Sequence, residues 1–181
     1  MPLSPGAARE PIHHRQIDCR GFRRADGLWD IEGHIVDTKS YGFPNRARGR
    51  IEAGEPIHEM WIRLTIDEAM TIHAVEAVTD AGPFTICPDI TPAFQQLKGL
   101  KIDGGWRKAV AQRLGREQGC THLVELLGPV ATTAFQTLVA ARRASEAADP
   151  NRRPRFLDTC HALKSDGLVV KEQWPQFYRG S

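Results

Sequence analysis

Apolar and polar residues alternate over 28–37, LWDIEGHIVD, with Trp29, Ile31 and Ile35 on one side and Asp30, Glu32 and His34 on the other. A period of two predicts a half-buried strand. The Ala25-Asp26-Gly27 turn signal ahead of it offers Cys19–Arg24 as the partner strand of a hairpin. Residues 39–56 are rich in Gly, Pro and Arg and read as a loop. Alternation returns in HEMWIRLTID, where His58, Met60, Ile62, Leu64 and Ile66 share one face and Trp61, Arg63, Thr65 and Asp67 the other. The run TIHAVEAVTD reads as its antiparallel partner, with Asp67-Glu68-Ala69-Met70 as the reversal. The first half is therefore expected to be an antiparallel strand meander.

The pattern changes after Ala81-Gly82-Pro83. A Pro near the start and a Gly at the end make ITPAFQQLKG a short helix. Trp106, Ala109, Val110, Arg113 and Leu114 fit a second one. From about 121 to 143, Leu123, Leu126, Leu127, Val130, Ala134, Leu138 and Val139 recur at helical spacing, with a kink expected at Gly128-Pro129. The tail is expected to add a short helix and then a strand at Gly167-Leu168-Val169-Val170. Strands followed by helices predict an α+β fold with the helices packed on one face of the sheet. In domain terms, residues 1–16 read as a flexible arm, 17–145 as a single α+β domain, and 146–181 as a C-terminal extension packed on it.

Composition narrows the function classes. The 181 residues carry 24 Lys and Arg against 22 Asp and Glu, a net charge of +2. That excludes a bulk polyelectrolyte mechanism of nucleic-acid binding, and no specific nucleic acid is expected as a partner. No uninterrupted apolar run approaches the roughly 20 residues of a membrane span, so no membrane association is expected. The Arg152, Arg153 and Arg155 cluster reads as a solvated face. The N-terminus lacks the pattern of a secretory signal, which makes the cytoplasm the expected compartment, with thiols reduced. Cys19, Cys87, Cys120 and Cys160 are too widely spread for a disulfide framework.

Candidate chemistry gathers at element starts. His58 leads a strand on its core face. Cys87 precedes Pro88 at a helix start, where free N–H groups favour thiolate. Cys120 and His122 open the long helix after Gly119, with Glu125 one turn on as a supporting acceptor. His58, Cys87, Cys120 and His122 together form an expected metal site of two sulfurs and two nitrogens, suited to zinc, iron or an iron–sulfur centre. Cys160, His161 and His34 are further candidate ligands, with His34 and Asp37 flanking a polar strand face. If the ion is catalytic, Glu59 or Glu125 is a candidate general base, and Arg24, Arg46 or Arg63 a candidate anchor for an anionic substrate. The first reading is a metal-binding scaffold-like or accessory protein; the alternatives are, first, a metal-dependent enzyme on a small, anionic substrate and, second, a non-metal interaction module whose cysteines are core. Expected partners are a metalloenzyme or a small-molecule substrate, and a homo-oligomer is compatible with the sequence.

The segments RRADGLWDIEGHIVDTKSYG, HEMWIRLTID, CPDITP and GCTHLVELLGPVATTAFQ resemble a bacterial family known only as a domain of unknown function. More distantly, residues 55–143 resemble the iron–sulfur scaffold of the IscU/NifU type, in which antiparallel strands precede helices. That likeness implies an IscU/NifU-like core with an N-terminal hairpin extension. It sets His58 where the scaffold has an Asp, Cys87 at its second Cys, and Cys120 with His122 at its His-Cys pair. The first scaffold Cys has no counterpart, because Pro56 and Ile57 occupy its place. Two thiols and two imidazoles suit one metal ion or a small labile cluster better than an assembly platform.

Overall fold

The structure is a computed structural model that describes residues 3–4, 6–146, 152–154 and 156–180, with backbone alone for 142–146. The chain divides into two compact units, Met1–Thr137 and Leu138–Ser181.

The first unit is built on one antiparallel sheet of four strands, in the order β1 (His13–Arg23), β2 (Trp29–Lys39), β5 (His58–Ile66), β6 (Ile72–Ala81). The N-terminal hairpin β1–β2 adds two strands to the β5–β6 pair and makes up half of this sheet. β1 also begins at His13, so the last residues of the segment expected to be an arm are strand. A small separate hairpin, β3 (Phe43–Asn45) and β4 (Gly49–Ile51), interrupts the long connection between β2 and β5. Its strands are too short to produce a readable period. The turn chemistry is nevertheless present, because Asn45 Oδ1 accepts the N–H groups of Ala47 and Arg48 at 3.0 and 2.9 Å. Between β5 and β6, Asp67 Oδ1 accepts the Thr71 N–H at 2.9 Å while Met70 takes a positive φ of 68°.

Alternation decides which side of the sheet is dry. Ile31, Ile35, Met60, Ile62, Leu64 and Ile66 face one way and are all at most 1 % exposed. Over them lie the Thr121–Thr137 part of the long helix α2 (Thr121–Glu146) and a 3₁₀ segment, Cys87–Leu97, which buries Phe94 and Leu97 and against which α1 (Trp106–Leu114) packs. That segment was expected to be a regular helix. Pro88 and Pro92 each remove an N–H from it, consistent with the tighter 3₁₀ form. α2 runs continuously through Gly128-Pro129. Its Thr121–Ala141 stretch is long and apolar enough to cross a membrane by length and composition. Here Leu123, Leu126, Leu127, Val130 and Ala134 of that stretch are instead buried in the first unit.

Two glycines set the helix-to-sheet distance. A Cβ on Gly33 would stand 2.5 Å from Val130 Cγ2, and one on Gly21 would stand 1.8 Å from Thr137 Oγ1. α2 therefore lies directly on β1 and β2, and its first turn reaches the end of the sheet where β5 begins.

In the second unit, Asp158 (φ 64°) accepts the Ser165 N–H at 2.7 Å and its hydroxyl at 2.8 Å, and pairs with Arg153. Arg155 of the arginine cluster lies outside the described residues, and Arg152 is exposed. The expected strand at Gly167–Val170 is instead the start of α3 (Leu168–Gln173). A strand would put Leu168 and Val170 on one face, yet Leu168 is 69 % exposed and Val170 fully buried.

Candidate metal centre

Asp37 is the pivot of the site. It shares parity with Ile31 and Ile35, so it points to the helix-covered face at the end of β2, where it is 1 % exposed. The register sets Arg15 of β1 on one side of it and His58 of β5 on the other. The Arg15 guanidinium grips the carboxylate at both oxygens, Nε donating to Oδ1 at 2.7 Å and Nη2 to Oδ2 at 2.8 Å. His13 Nε2 lies 3.1 Å from Oδ1, and His58 Nδ1 lies 3.2 Å from Oδ2. From the first turn of α2, His122 stacks on His58 with ring centroids 3.7 Å apart, and its Nε2 stands 3.9 Å from Asp37 Oδ2. Its other nitrogen, Nδ1, lies 3.9 Å from Cys120 Sγ, which in turn lies 3.6 Å from Met60 Sδ. Arg15 also reaches Glu125, one turn along α2, and so ties β1 to the helix.

The electrostatics follow from this packing. Burial pushes the Asp37 carboxyl up, but the Arg15 hydrogen bonds and charge, with smaller help from His58 and His13, outweigh it and hold the group below the ordinary carboxylate range. Burial lowers both imidazoles. At His58 the neighbouring His122 adds to that effect and Asp37 opposes it; at His122 Asp37 opposes it alongside Glu125. The site at neutral pH is therefore one carboxylate facing two neutral imidazoles, with Arg15 as resident cation.

The sign of the pH dependence is fixed. Unfolded, the two histidines take up protons near the ordinary value of 6.5; folded, they resist until lower pH. Their contribution is fully present above 6.5 and is lost as pH falls through the window beneath it. Melting temperature should thus decline from pH 7 to pH 5, and the decline should flatten in His58→Gln/His122→Gln. An unchanged slope in that double variant would show that other groups cause it.

Of the expected ligands, His58 and His122 come together, and Asp37 joins them. One donor atom from each of Asp37, His58 and His122 lies within 4.8 Å of the others. Cys120 stands beside His122 as a neighbour of the imidazole rather than in the convergent set. Cys87 packs against Gly82 beyond the end of β6, also outside the set. Cys19 faces Thr133, with burial raising its thiol. Cys160 and His161 belong to the second unit, where Cys160 is exposed. His34 points to the opposite side of the sheet, bonded to Glu59 at 3.1 Å, so neither adjoins Asp37. Glu125 is engaged by Arg15. Arg24 pairs with Asp26 and Asp30 at the hairpin turn, Arg63 with Glu32 and Glu76 on the open face, and Arg46 is exposed beside β3. The arginine at the centre is Arg15, in the segment expected to be a loose arm.

No curated protein and no solved structure matches the chain significantly, so the scaffold likeness gains no support from a structural relative. A family model described as "Protein of unknown function (DUF2889)" matches residues 13–136, the stretch that contains β1 to β6 and every residue of the centre, and the chain belongs to that family.

Proposed function

We propose that the protein binds a single divalent ion, zinc or iron, through Asp37, His58 and His122. The observation that carries this reading is the convergence of their three donor atoms within 4.8 Å. Metal–nitrogen bonds of roughly 2.0–2.1 Å at tetrahedral angles imply donors about 3.4 Å apart. The distances from Asp37 Oδ2 to His58 Nδ1 and His122 Nε2, 3.2 and 3.9 Å, straddle that value. The ion would take the place of the proton shared between His58 Nδ1 and Oδ2, while Arg15 keeps the carboxylate's remaining lone pairs occupied. Cys120 beside His122 Nδ1 would orient the ring, the role commonly taken by a ligand's hydrogen-bonding neighbour.

Two nitrogens and one oxygen form a three-donor set of the kind zinc and non-haem iron enzymes use, with positions left for water or substrate. This favours a metal-dependent reaction on a small molecule over a closed structural site. An iron–sulfur centre needs several thiolates, and among the described residues of the first unit Cys120 is the cysteine in contact with the set. In such a reaction the ion supplies a Lewis acid, Asp37 and the histidines hold it, and Arg15 fixes Asp37.

Zinc or iron(II) titration by calorimetry tests the reading. One ion per chain is expected, with thermal stabilisation of about 2.7 kcal/mol at a hundredfold excess over Kd. His122→Ala should weaken binding by more than the roughly tenfold to hundredfold cost of losing a supporting neighbour. Cys87→Ser should bind like the wild type. Wild-type affinity in His122→Ala, or no binding by the parent chain, would overturn the assignment.

A further inference from the structure

The face of the sheet opposite the helices carries a second organised group of side chains. At its centre Trp61, on interior strand β5, is 40 % exposed. A lone tryptophan on a solvated strand needs no explanation, but this one is fixed on two sides. Its indole stacks on His34 with centroids 3.6 Å apart and planes 9° from parallel, and its Nε1–H donates to Asp80 at 2.9 Å. Glu59 holds His34 in turn. Trp61 walls a trough of about 240 Å³, together with Val78, Glu32, Arg63 and Glu76. That volume is below the roughly 300–1,000 Å³ of small-molecule pockets and suits a single long side chain.

The charge around the trough selects the occupant. Glu32 and Glu76 line it and are bridged by Arg63, Asp80 and Glu59 hold Trp61 and His34 at its flank, and Arg20 stands opposite Glu32 on the next strand. Four carboxylates against Arg63 and Arg20 leave the patch net negative on a chain whose net charge is +2. A rigid indole amid carboxylates attracts a cation, through the ring quadrupole and through Coulombic steering. We infer that this face docks a basic polypeptide segment, anchored by an arginine or lysine laid against Trp61. This surface lies on the other side of the sheet from Asp37 and does not depend on metal binding.

A fluorescently labelled octa-arginine peptide, followed by anisotropy with the full chain at low salt, provides the test, with labelled octa-glutamate as its counterpart. Octa-arginine should bind and weaken steeply with added salt, and octa-glutamate should not bind. Trp61→Ala and Glu76→Gln should each weaken binding, the former by roughly tenfold. Asp103→Asn, on the loop before α1, should leave it unchanged. Glu76 is 62 % exposed, so its variant keeps the test independent of any folding defect in Trp61→Ala. Absence of octa-arginine binding, equal binding of octa-glutamate, or wild-type affinity in Glu76→Gln and Trp61→Ala would overturn the inference. So would a self-association abolished by Trp61→Ala in a chain that ignores the peptide.

Discussion

Asp37→Ala is expected to cost about 3 kcal/mol of stability and to abolish metal binding. The carboxylate is 1 % exposed and holds Arg15 by two hydrogen bonds, with His13 and His58 against the same oxygens. Removing one member of a buried ion pair typically costs about 3–5 kcal/mol, because the remaining charge is left uncompensated. Arg15 is 30 % exposed and retains Glu125, which places the effect at the lower end of that range. For a chain of this size, about 3 kcal/mol corresponds to a fall in Tm of roughly 6–12 °C. Asp37→Asn separates the two roles. It keeps the shape and part of the hydrogen bonding, so it should fold better than the alanine variant yet still bind zinc poorly. Calorimetric wild-type affinity in Asp37→Asn would remove the carboxylate from the ligand set.

The second large effect is steric. Gly33→Val should destabilise by about 1–3 kcal/mol, the usual range for overpacking a filled core. Its Cβ would meet Val130 Cγ2 at 2.5 Å and Leu126 Cγ at 3.0 Å, both β- or γ-branched and buried. Relief requires α2 to lift from the sheet, which would also move His122 away from His58. Denaturation midpoints should therefore fall, and zinc affinity should fall with them although no ligand has changed. A variant of wild-type stability would mean that α2 sits less tightly on β2 than the distances require.

Much of this architecture was legible from periodicity. β2, β5, β6 and α2 all lie where alternation or helical spacing predicted them, because each buries one face and the burial writes itself into the sequence. His58 was found through its parity with Met60, Ile62 and Leu64. Asp37 carries the same signal, two residues beyond Ile35 on the core face, although by sequence alone it flanks the polar face. An acidic residue at a strand end looks solvated until the opposing strand is known, and the pairing of Asp37 with His58 spans the β3–β4 insertion. Arg15 was hidden for another reason. The His-His-Arg-Gln start of β1 is polar throughout because it lies on an edge strand, where alternation weakens. Cys87 stands before a helix in the sequence pattern, but that helix is a proline-containing 3₁₀ segment, and the cysteine's side chain lies against Gly82, outside the convergent set. Gly167–Val170 misled because two adjacent valines carry strand propensity, while the helix-forming residues that follow decide the outcome.

The link from Arg15 to Glu125 joins residues 110 positions apart. Closing so long a loop carries an entropy cost that shorter contacts do not. The helix side of the centre is therefore expected to be completed late in folding. An ion would meet a chain already assembled, and refolding rates should be indifferent to whether zinc is present, while unfolding slows in its company.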